Sequence, residues 1–435
     1  MTDQENFHQH KVSQPIIHRA PWVIMGMTSE SRGFAQRAVE DGALVVADGL
    51  IQAIGRYRDI RKEFGLYQIR EYASSILAPA LINSHCHLEL SHLNIAKGIK
   101  DRKAYNGDIT EWIRDLLSAK EVFFQDNADA ESLILQQAGL TLQNMSDEGV
   151  AFIGDIGNSL ASRNIGKDQN TRVYFLLELL GLTRNSEVKN FARLENIDTG
   201  DTPAIGCTPH APYSTTSAVI KALKRRAAEH GHILSVHVAE SLHEVEFLKS
   251  GAGEFREFLL ERGAWDGSFT LPAKGSVQYL DSLDVIDSRT ICVHSVHVDK
   301  TEIDILAKKK AKVCLCPGSN RFLGVGKAPV TEFLDHGILP ALGTDSKASN
   351  ESLSMWREML LLREDYQDLL PETVFAMATW GGSEAWGISS SMGSLEPGKL
   401  PLILAVKNNE KIDSPEVVFD FLTTAGESVQ VDWLG

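Results

Sequence analysis

Apolar runs and helix-like segments alternate along most of the chain. The first apolar stretch, residues 43–54, is split by Asp48-Gly49 and predicts a β-hairpin, since Asp-Gly favours a two-residue turn. Eight short apolar runs then follow, each predicting a strand: 76–85, 150–157, 172–181, 203–211, 233–240, 290–298, 311–319 and 339–346. Helix-like segments lie between them, among them 129–149, 215–230, 299–310 and 351–365. This alternation predicts an α/β fold with parallel strands.

Two architectures fit this pattern. Eight strands separated by helices suit a (β/α)8 barrel, and a doubly wound open sheet is the alternative that strand counting leaves open. The chain has neither GxGxxG after its first strand nor GxxxxGK[ST]. These glycine-rich loops bind nucleotide phosphates in open sheets, so nothing in the sequence favours the alternative.

The two ends of the chain differ from its middle. After residue 390 the sequence GSLEPGKLPLILAVK returns to turns and short strands, as in the hairpin near the start. We therefore expect residues 1–75 and 390–435 to form one small β domain into which residues 76–389 are inserted as the barrel. The connection 251–275, after the fifth strand, is unusually long, and it is either a substrate lid or an elaborated surface loop.

The composition is that of a globular protein with an acidic surface. The 435 residues include 43 Lys plus Arg and 58 Asp plus Glu, so the formal net charge is 43 − 58 = −15. Such a charge repels phosphate backbones, and we expect no nucleic-acid partner. No apolar stretch reaches about 18 residues and the polar N-terminus lacks the apolar core of a secretory signal, so we expect no membrane span and a cytoplasmic location. The cysteines are odd in number, which favours free thiols over disulfides: Cys86, Cys207, Cys292, Cys314 and Cys316.

Polar residues recur where the predicted strands end. His85 and His87 are separated by one residue, so in a strand both side chains point to one face and can bind one metal ion. The later runs end in further groups of the same kind: His210, His237, Glu240, His294 and Asp345. Because barrel enzymes place their chemistry at the carboxyl ends of the strands, these residues predict a metal-dependent active site.

The residue types suggest a division of roles. Three imidazoles and a carboxylate can hold one divalent ion, zinc or alternatively iron, and leave a position for water: His85, His87, His237 and Asp345. Asp345 can accept the proton of the attacking water, and His294 can hydrogen-bond that water. Glu240 can carry the proton to the substrate, first to a ring nitrogen and then to the leaving group.

These motifs resemble the amidohydrolase superfamily. The resemblance runs from about residue 40 to 400 and is carried by HCH (85–87), PHAPYS (209–214), HVAE (237–240), VHSVH (293–297), CPGSN (316–320) and GTDSKASNESL (343–353). It is closest to the mononuclear deaminases and chlorohydrolases of aminated heterocycles. It implies a distorted (β/α)8 TIM barrel with a small composite β-sandwich, one metal ion because TPHAPYS lacks the bridging lysine, and substrate contacts by His210 and Ser349.

Two departures from the usual motifs indicate which members of this branch the chain resembles most. HLELS begins at the second histidine of HCH, after which methylthioadenosine deaminases usually carry small residues and Met, and SNRFLGVG replaces the usual SNLKLASG. Both stretches look closer to aminodeoxyfutalosine deaminases of menaquinone synthesis. Glu89 shares a face with His85 and His87 and would contact a substrate hydroxyl or form a structural ion pair. Arg321 would meet the benzoate of that substrate or form an ion pair of its own.

We therefore expect a hydrolase of carbon–nitrogen bonds that deaminates an adenine nucleoside. 6-Aminodeoxyfutalosine ranks first, followed by methylthioadenosine, S-adenosylhomocysteine and adenosine. The alternatives are hydrolytic removal of chloride, alkylamine or thiolate from a triazine-like heterocycle, and a non-catalytic barrel. The only partners expected are the small-molecule substrate and a second copy in a homodimer.

Overall fold

A computed structural model describes residues 14–27, 37–93, 95, 105–165, 171–199, 205–410 and 412–434. The strands are β1 (Ile16–Gly26), β2 (Arg37–Ala47), β3 (Leu50–Arg56), β4 (Gln68–Glu71), β5 (Ser75–Pro79), β6 (Leu81–Cys86), β7 (Val150–Gly157), β8 (Arg172–Leu179), β9 (Gly206–Pro209), β10 (Leu234–Val238), β11 (Thr290–His294), β12 (Lys312–Leu315), β13 (Ala341–Leu342), β14 (Ile403–Lys407) and β15 (Val431–Trp433).

The α-helices lie mostly between the strands from β6 onward. They are α1 (Tyr57–Glu63), α2 (Ile109–Asp126), α3 (Ala130–Asp147), α4 (Arg184–Thr199), α5 (Ser217–His230), α6 (Leu242–Ser250), α7 (Glu254–Glu261), α8 (Ser276–Ser282), α9 (Lys300–Lys309), α10 (Pro317–Leu323), α11 (Val330–Asp335), α12 (Met355–Asp365), α13 (Pro371–Ala376), α14 (Gly382–Trp386) and α15 (Pro415–Thr424). The four helices predicted above are confirmed as α3, α5, α9 and α12.

Eight parallel strands form two sheets of four. The first has the order β6-β7-β8-β9 and the second β10-β11-β12-β13. The sheets meet on both sides: a parallel bridge joins Cys86 to Asp345, and the backbone N–H of His237 donates to the carbonyl of His210 at 3.0 Å. The α/β class with parallel strands is therefore confirmed, and the carboxyl ends of β6, β9, β10 and β13 lie close together.

The first predicted strand is interrupted. The run 76–85 divides at Ala80 into β5 and β6, which belong to different sheets. The N–H of Ala80 donates to the carbonyl of Leu402 and that of Leu81 to the carbonyl of Gly149, so the chain changes partner at this point. A continuous apolar run conceals such a change because both halves are buried.

A seven-stranded sheet joins the two ends of the chain. Its order is β15-β14-β5-β1-β2-β3, with β4 paired to β1. The hairpin prediction is confirmed as β2 and β3, which pair antiparallel across Asp48 and Gly49 at φ +52° and +73°. Strand β14 pairs antiparallel with β5, from Ile403 opposite Pro79 to Lys407 opposite Ser75. Strands from both termini thus share one sheet, and the domain limits stay a prediction.

Several further expectations have an outcome. All five cysteines are buried and unpaired, as predicted. None of the helices in the described ranges is long and apolar enough to cross a membrane. The connection 251–275 contains α7, which packs Phe255, Phe258 and Leu259 into an aromatic cluster with Tyr213 and Phe247. Whether the connection acts as a lid stays open.

Candidate metal centre and acid–base site

Four predicted ligands converge where three strands end. His85 lies in β6, His87 just beyond it, His237 in β10, and Asp345 three residues after β13. The Nε2 atoms of His85 and His237 are 3.1 Å apart. Asp345 Oδ1 lies 3.6 Å from His85 Nε2 and 3.4 Å from His87 Nε2. These are close to the roughly 3.3 Å between ligands around a tetrahedral ion with bonds of about 2.0–2.1 Å.

The tautomers of two histidines fit metal binding. His87 Nδ1 lies 2.9 Å from the carbonyl of Ile156, and His237 Nδ1 lies 2.9 Å from the carbonyl of His210. A carbonyl only accepts, so each Nδ1 carries the hydrogen and each Nε2 presents a lone pair to the centre. Burial lowers the pKa of His85 to about 4, which keeps this imidazole neutral. The donor set therefore suits a divalent transition metal.

Asp345 is held by two hydroxyl groups. Ser319 and Ser349 both donate to its Oδ2, at 2.7 and 2.6 Å. Burial alone would raise the pKa of Asp345, but the hydrogen bond with His85 and the neighbouring imidazoles hold it well below its usual value. The carboxylate is thus ionised. Ser349, expected to contact substrate, is fully buried and lies against Asp345.

Glu240 and His294 form a buried pair beside the ligands. Glu240 Oε1 lies 3.6 Å from His294 Nε2, and His294 Nδ1 lies 2.9 Å from Asn320 Oδ1. Burial raises the pKa of Glu240, although His294 opposes the shift. A carboxyl group with a raised pKa can donate as well as accept a proton near neutrality, as an acid–base catalyst must.

The backbone is strained at His294 and next to Glu240. Ala239 has φ +49°, His294 φ +66° and Ser295 φ +48°. Residues other than glycine seldom adopt such angles, which cost about 1–3 kcal/mol each and cluster at active sites. At Ala239 the cost is tolerated because hydrogen bonds hold the segment.

One carboxylate accounts for much of that restraint. Glu244, fully buried in α6, accepts the N–H of Ala239 at 2.8 Å and that of Glu240 at 3.0 Å, one on each oxygen. Ser276, the first residue of α8, donates to it at 2.7 Å. Burial raises the pKa of Glu244 to about 8, and the three hydrogen bonds work against this rise.

The residues expected to contact substrate have different surroundings. His210 faces the centre from the end of β9, and its Nδ1 lies 2.6 Å from Ser214 Oγ. Glu89 is buried, and its Oε2 accepts the backbone N–H groups of Asn158 and Ser159 at 3.0 and 3.1 Å. Glu89 therefore braces the loop after β7.

Arg321 lies against helix α12. Its guanidinium binds Glu364 at 2.6 Å and Asp365 at 2.9 Å. It lines a cavity of about 200 Å³ that also contains Asn320, the partner of His294. Two carboxylates thus already neutralise this arginine.

Comparison with known proteins identifies the family. A model of the family described as "Amidohydrolase family" matches residues 76–427. The chain belongs to the amidohydrolase family. This confirms the predicted resemblance and the prediction of a hydrolase acting on carbon–nitrogen bonds.

Relatives of this amidohydrolase include named nucleoside deaminases. It is 27% identical over 373 residues to a 5-methylthioadenosine/S-adenosylhomocysteine deaminase of Thermodesulfovibrio yellowstonii, covering 83% of this chain and 79% of the relative. It is 27% identical over 376 residues to an aminodeoxyfutalosine deaminase of Deinococcus radiodurans, covering 80% of this chain and 82% of the relative. Helicobacter pylori aminofutalosine deaminase in complex with methylthio-coformycin shares its fold, with TM-score 0.77, 23% identity, and coverage of 96% and 97%.

Two carboxylates of this amidohydrolase site were not singled out from the sequence. Glu178 ends β8, and Glu244 lies one turn into the helix after Glu240. Glu178 lies inside the run RVYFLLELLG and is followed by two leucines, so the rule that found His237 and Asp345, a polar residue ending an apolar run, does not apply to it. Its only signal in the sequence is that it is a carboxylate within an otherwise apolar strand. No comparable signal marked Glu244, because an acidic residue early in a helix is common on protein surfaces.

Proposed function

We propose that this chain is a metal-dependent deaminase that hydrolyses adenine-type nucleosides and releases ammonia. The observation that carries the proposal is the meeting of three imidazoles and one carboxylate beside the buried pair Glu240–His294. The deaminase names of the relatives support this reaction. We rank 6-aminodeoxyfutalosine first, on the HLELS and SNRFLGVG motifs and the name of the Deinococcus relative, then methylthioadenosine, S-adenosylhomocysteine and adenosine.

One divalent ion, zinc or alternatively iron, is the proposed cofactor. It would be held by His85, His87, His237 and Asp345. When bound, such an ion lowers the pKa of a coordinated water so that the water becomes a nucleophile near neutral pH. We also propose that the two four-stranded sheets form the distorted barrel and that the seven-stranded sheet is the composite β domain. The bridge from Cys86 to Asp345 supports the barrel.

Proton transfer is assigned to side chains of the chain itself. Asp345, held ionised by its neighbours, is the acceptor for the proton of the attacking water. Glu240, with its raised pKa, protonates the ring nitrogen next to the amine-bearing carbon. The resulting carboxylate takes the remaining water proton from the new hydroxyl group and passes it to the amine, which leaves as ammonia, and the proton held by Asp345 restores Glu240. His294, fixed through Nδ1 by Asn320, orients the attacking water and stabilises the developing charge.

A substrate panel tests the proposal. The metal-replete enzyme is assayed for ammonia release and kcat/KM with the four nucleosides and with an aminochlorotriazine, for which chloride is also measured. We expect ammonia from the nucleosides and a loss in Glu240→Gln. Chloride or alkylamine release from the triazine, with no ammonia from any nucleoside, would refute the deaminase proposal. Preference for another nucleoside would refute only the ranking.

A further inference from the structure

A further buried carboxylate lies beside the ligand His237 and has no assigned role. Glu178, at the end of β8, is only 4% exposed. Its Oε2 accepts a hydrogen bond from Asn158 Nδ2 at 3.0 Å. Its Oε1 is buried and has no hydrogen-bond donor among the described residues. His237 Nδ1 lies 3.8 Å from this oxygen, but its hydrogen is directed to the carbonyl of His210.

Such an oxygen needs a donor. A buried acceptor without a partner is costly, and the cost is larger for a charged group, so native proteins seldom keep one without a functional reason. The side chain of Glu178 is held in place because its partner Asn158 is itself fixed by two hydrogen bonds. The N–H of Asn158 donates to Glu89, and its carbonyl accepts from Arg193 at 2.6 Å. Oε1 is therefore a fixed acceptor.

A second metal ion does not explain this oxygen. Glu178, His210 and His237 do lie close enough together to suggest one. However, His237 Nδ1 is bonded to a carbonyl, and His210 Nδ1 to Ser214 Oγ. This leaves Glu178 and one nitrogen of His210, and two ligands are too few for a stable protein site.

The position of Glu178 identifies the part of the substrate that it faces. Glu240 follows β10 and His294 ends β11, and both must face the carbon that carries the amine. Glu178 lies at the carboxyl end of β8 and His210 follows β9, so the remainder of a nucleoside, its sugar, is left for them. Resting on the proposed function, we propose that Glu178 is a specificity residue whose Oε1 accepts a hydrogen bond from a sugar hydroxyl.

Glu178→Gln tests this assignment. Glutamine keeps the shape and still bonds Asn158, but it replaces the charged acceptor. With adenosine we expect KM to rise about 10- to 100-fold, the range for losing one hydrogen bond to a charged group, with metal content unchanged. The assay is repeated with 2′-deoxy-, 3′-deoxy- and 5′-deoxyadenosine. For the analogue that lacks the contacted hydroxyl, the wild type and the variant should have almost the same KM.

Glu148→Gln is the matched control. Glu148 precedes β7, at the opposite end of its strand from the site, and its Oε2 is likewise buried. It should leave every KM unchanged. An unchanged KM in Glu178→Gln, an equal rise for all four nucleosides, or loss of metal would overturn the assignment. If the wild type releases ammonia from no nucleoside, the proposed function fails, and this inference fails with it.

Discussion

The restraint of Glu240 by Glu244 gives the sharpest test of the site. Glu244 accepts two adjacent backbone N–H groups, those of Ala239 and Glu240, and the hydroxyl of Ser276. In Glu244→Gln the side-chain shape is kept, but one of the two oxygens becomes an amide nitrogen that cannot accept. One backbone N–H at the strained turn, where Ala239 has φ +49°, then loses its acceptor.

The structure bounds the size of the effect. Leaving a buried donor without a partner costs about 1–3 kcal/mol. If the turn relaxes and displaces Glu240 in the transition state, that cost appears in the barrier. At about 1.36 kcal/mol per tenfold change in rate, kcat should fall about 5- to 150-fold. KM and metal content should hardly change, because Glu244 touches neither the ligands nor the open side of the site.

The assay is kcat as a function of pH for the wild type and the variant. Because burial raises the pKa of Glu244 to about 8, lowering the pH protonates the carboxylate and removes one of its two acceptors, as glutamine does. The ratio of wild-type to variant kcat should therefore be largest above about pH 8 and shrink as the pH falls. A merely structural role would give a ratio that does not change with pH.

Glu302→Gln is the control for this experiment. Glu302 is also a buried glutamate that accepts backbone N–H groups, from Val277 at 2.8 Å and Asp299 at 3.1 Å, but it does not bond the Glu240 turn. It should lower the melting temperature without lowering kcat. Equal losses of kcat in the Glu244 and Glu302 variants would refute the positioning role.

Five other substitutions have defined expectations. His87→Ala should lose metal, measured by atomic absorption, and activity together. Glu240→Gln and His294→Asn should keep the metal and lower kcat about 10²–10⁴-fold. Arg321→Ala should alter KM equally for adenosine and 6-aminodeoxyfutalosine, because Glu364 and Asp365 already bind the guanidinium; a selective rise for 6-aminodeoxyfutalosine would instead indicate benzoate binding. Burial lowers the pKa of His18 to about 4. Between about pH 6.5 and pH 4 only the unfolded chain binds a proton at this residue, so the free energy of unfolding decreases as the pH is lowered. In urea titrations, the free energy of unfolding of His18→Gln should decrease over this pH range by up to about 3 kcal/mol less than that of the wild type.

The site residues at the carboxyl ends of the strands could be predicted because the sequence pattern that marks them is local. An apolar run that ends in His or Asp is visible in the sequence, and parallel strands bring such ends to one edge. His85, His237 and Asp345 were found in this way, and their separations now fit one ion. The break at Ala80 could not be found, because both halves of the run are equally apolar and only the distant partners Leu402 and Gly149 distinguish them.

The supporting role of three carboxylates escaped prediction for a different reason. Glu244 accepts the backbone N–H groups of Ala239 and Glu240, and Glu358 accepts that of Gly318, in each case just after a strand. Glu89 was singled out, but as a substrate contact or an ion pair and not as the acceptor of the N–H groups of Asn158 and Ser159. Their partners lie 4 to 70 residues away, and an isolated glutamate carries no sign of which it will bind.

These buried carboxylates explain how strained loops can hold a precise site. Each charged acceptor is costly to bury and is stabilised only when its backbone donors are in place, so the loop and the carboxylate fix each other. Glu178 departs from this pattern, since its Oε1 has no donor among the described residues. A carboxylate that completes a loop needs nothing from the substrate, whereas we propose that a sugar hydroxyl of the substrate donates to Glu178. This difference distinguishes the carboxylates that stabilise the loops of the site from Glu178, which we propose binds the substrate.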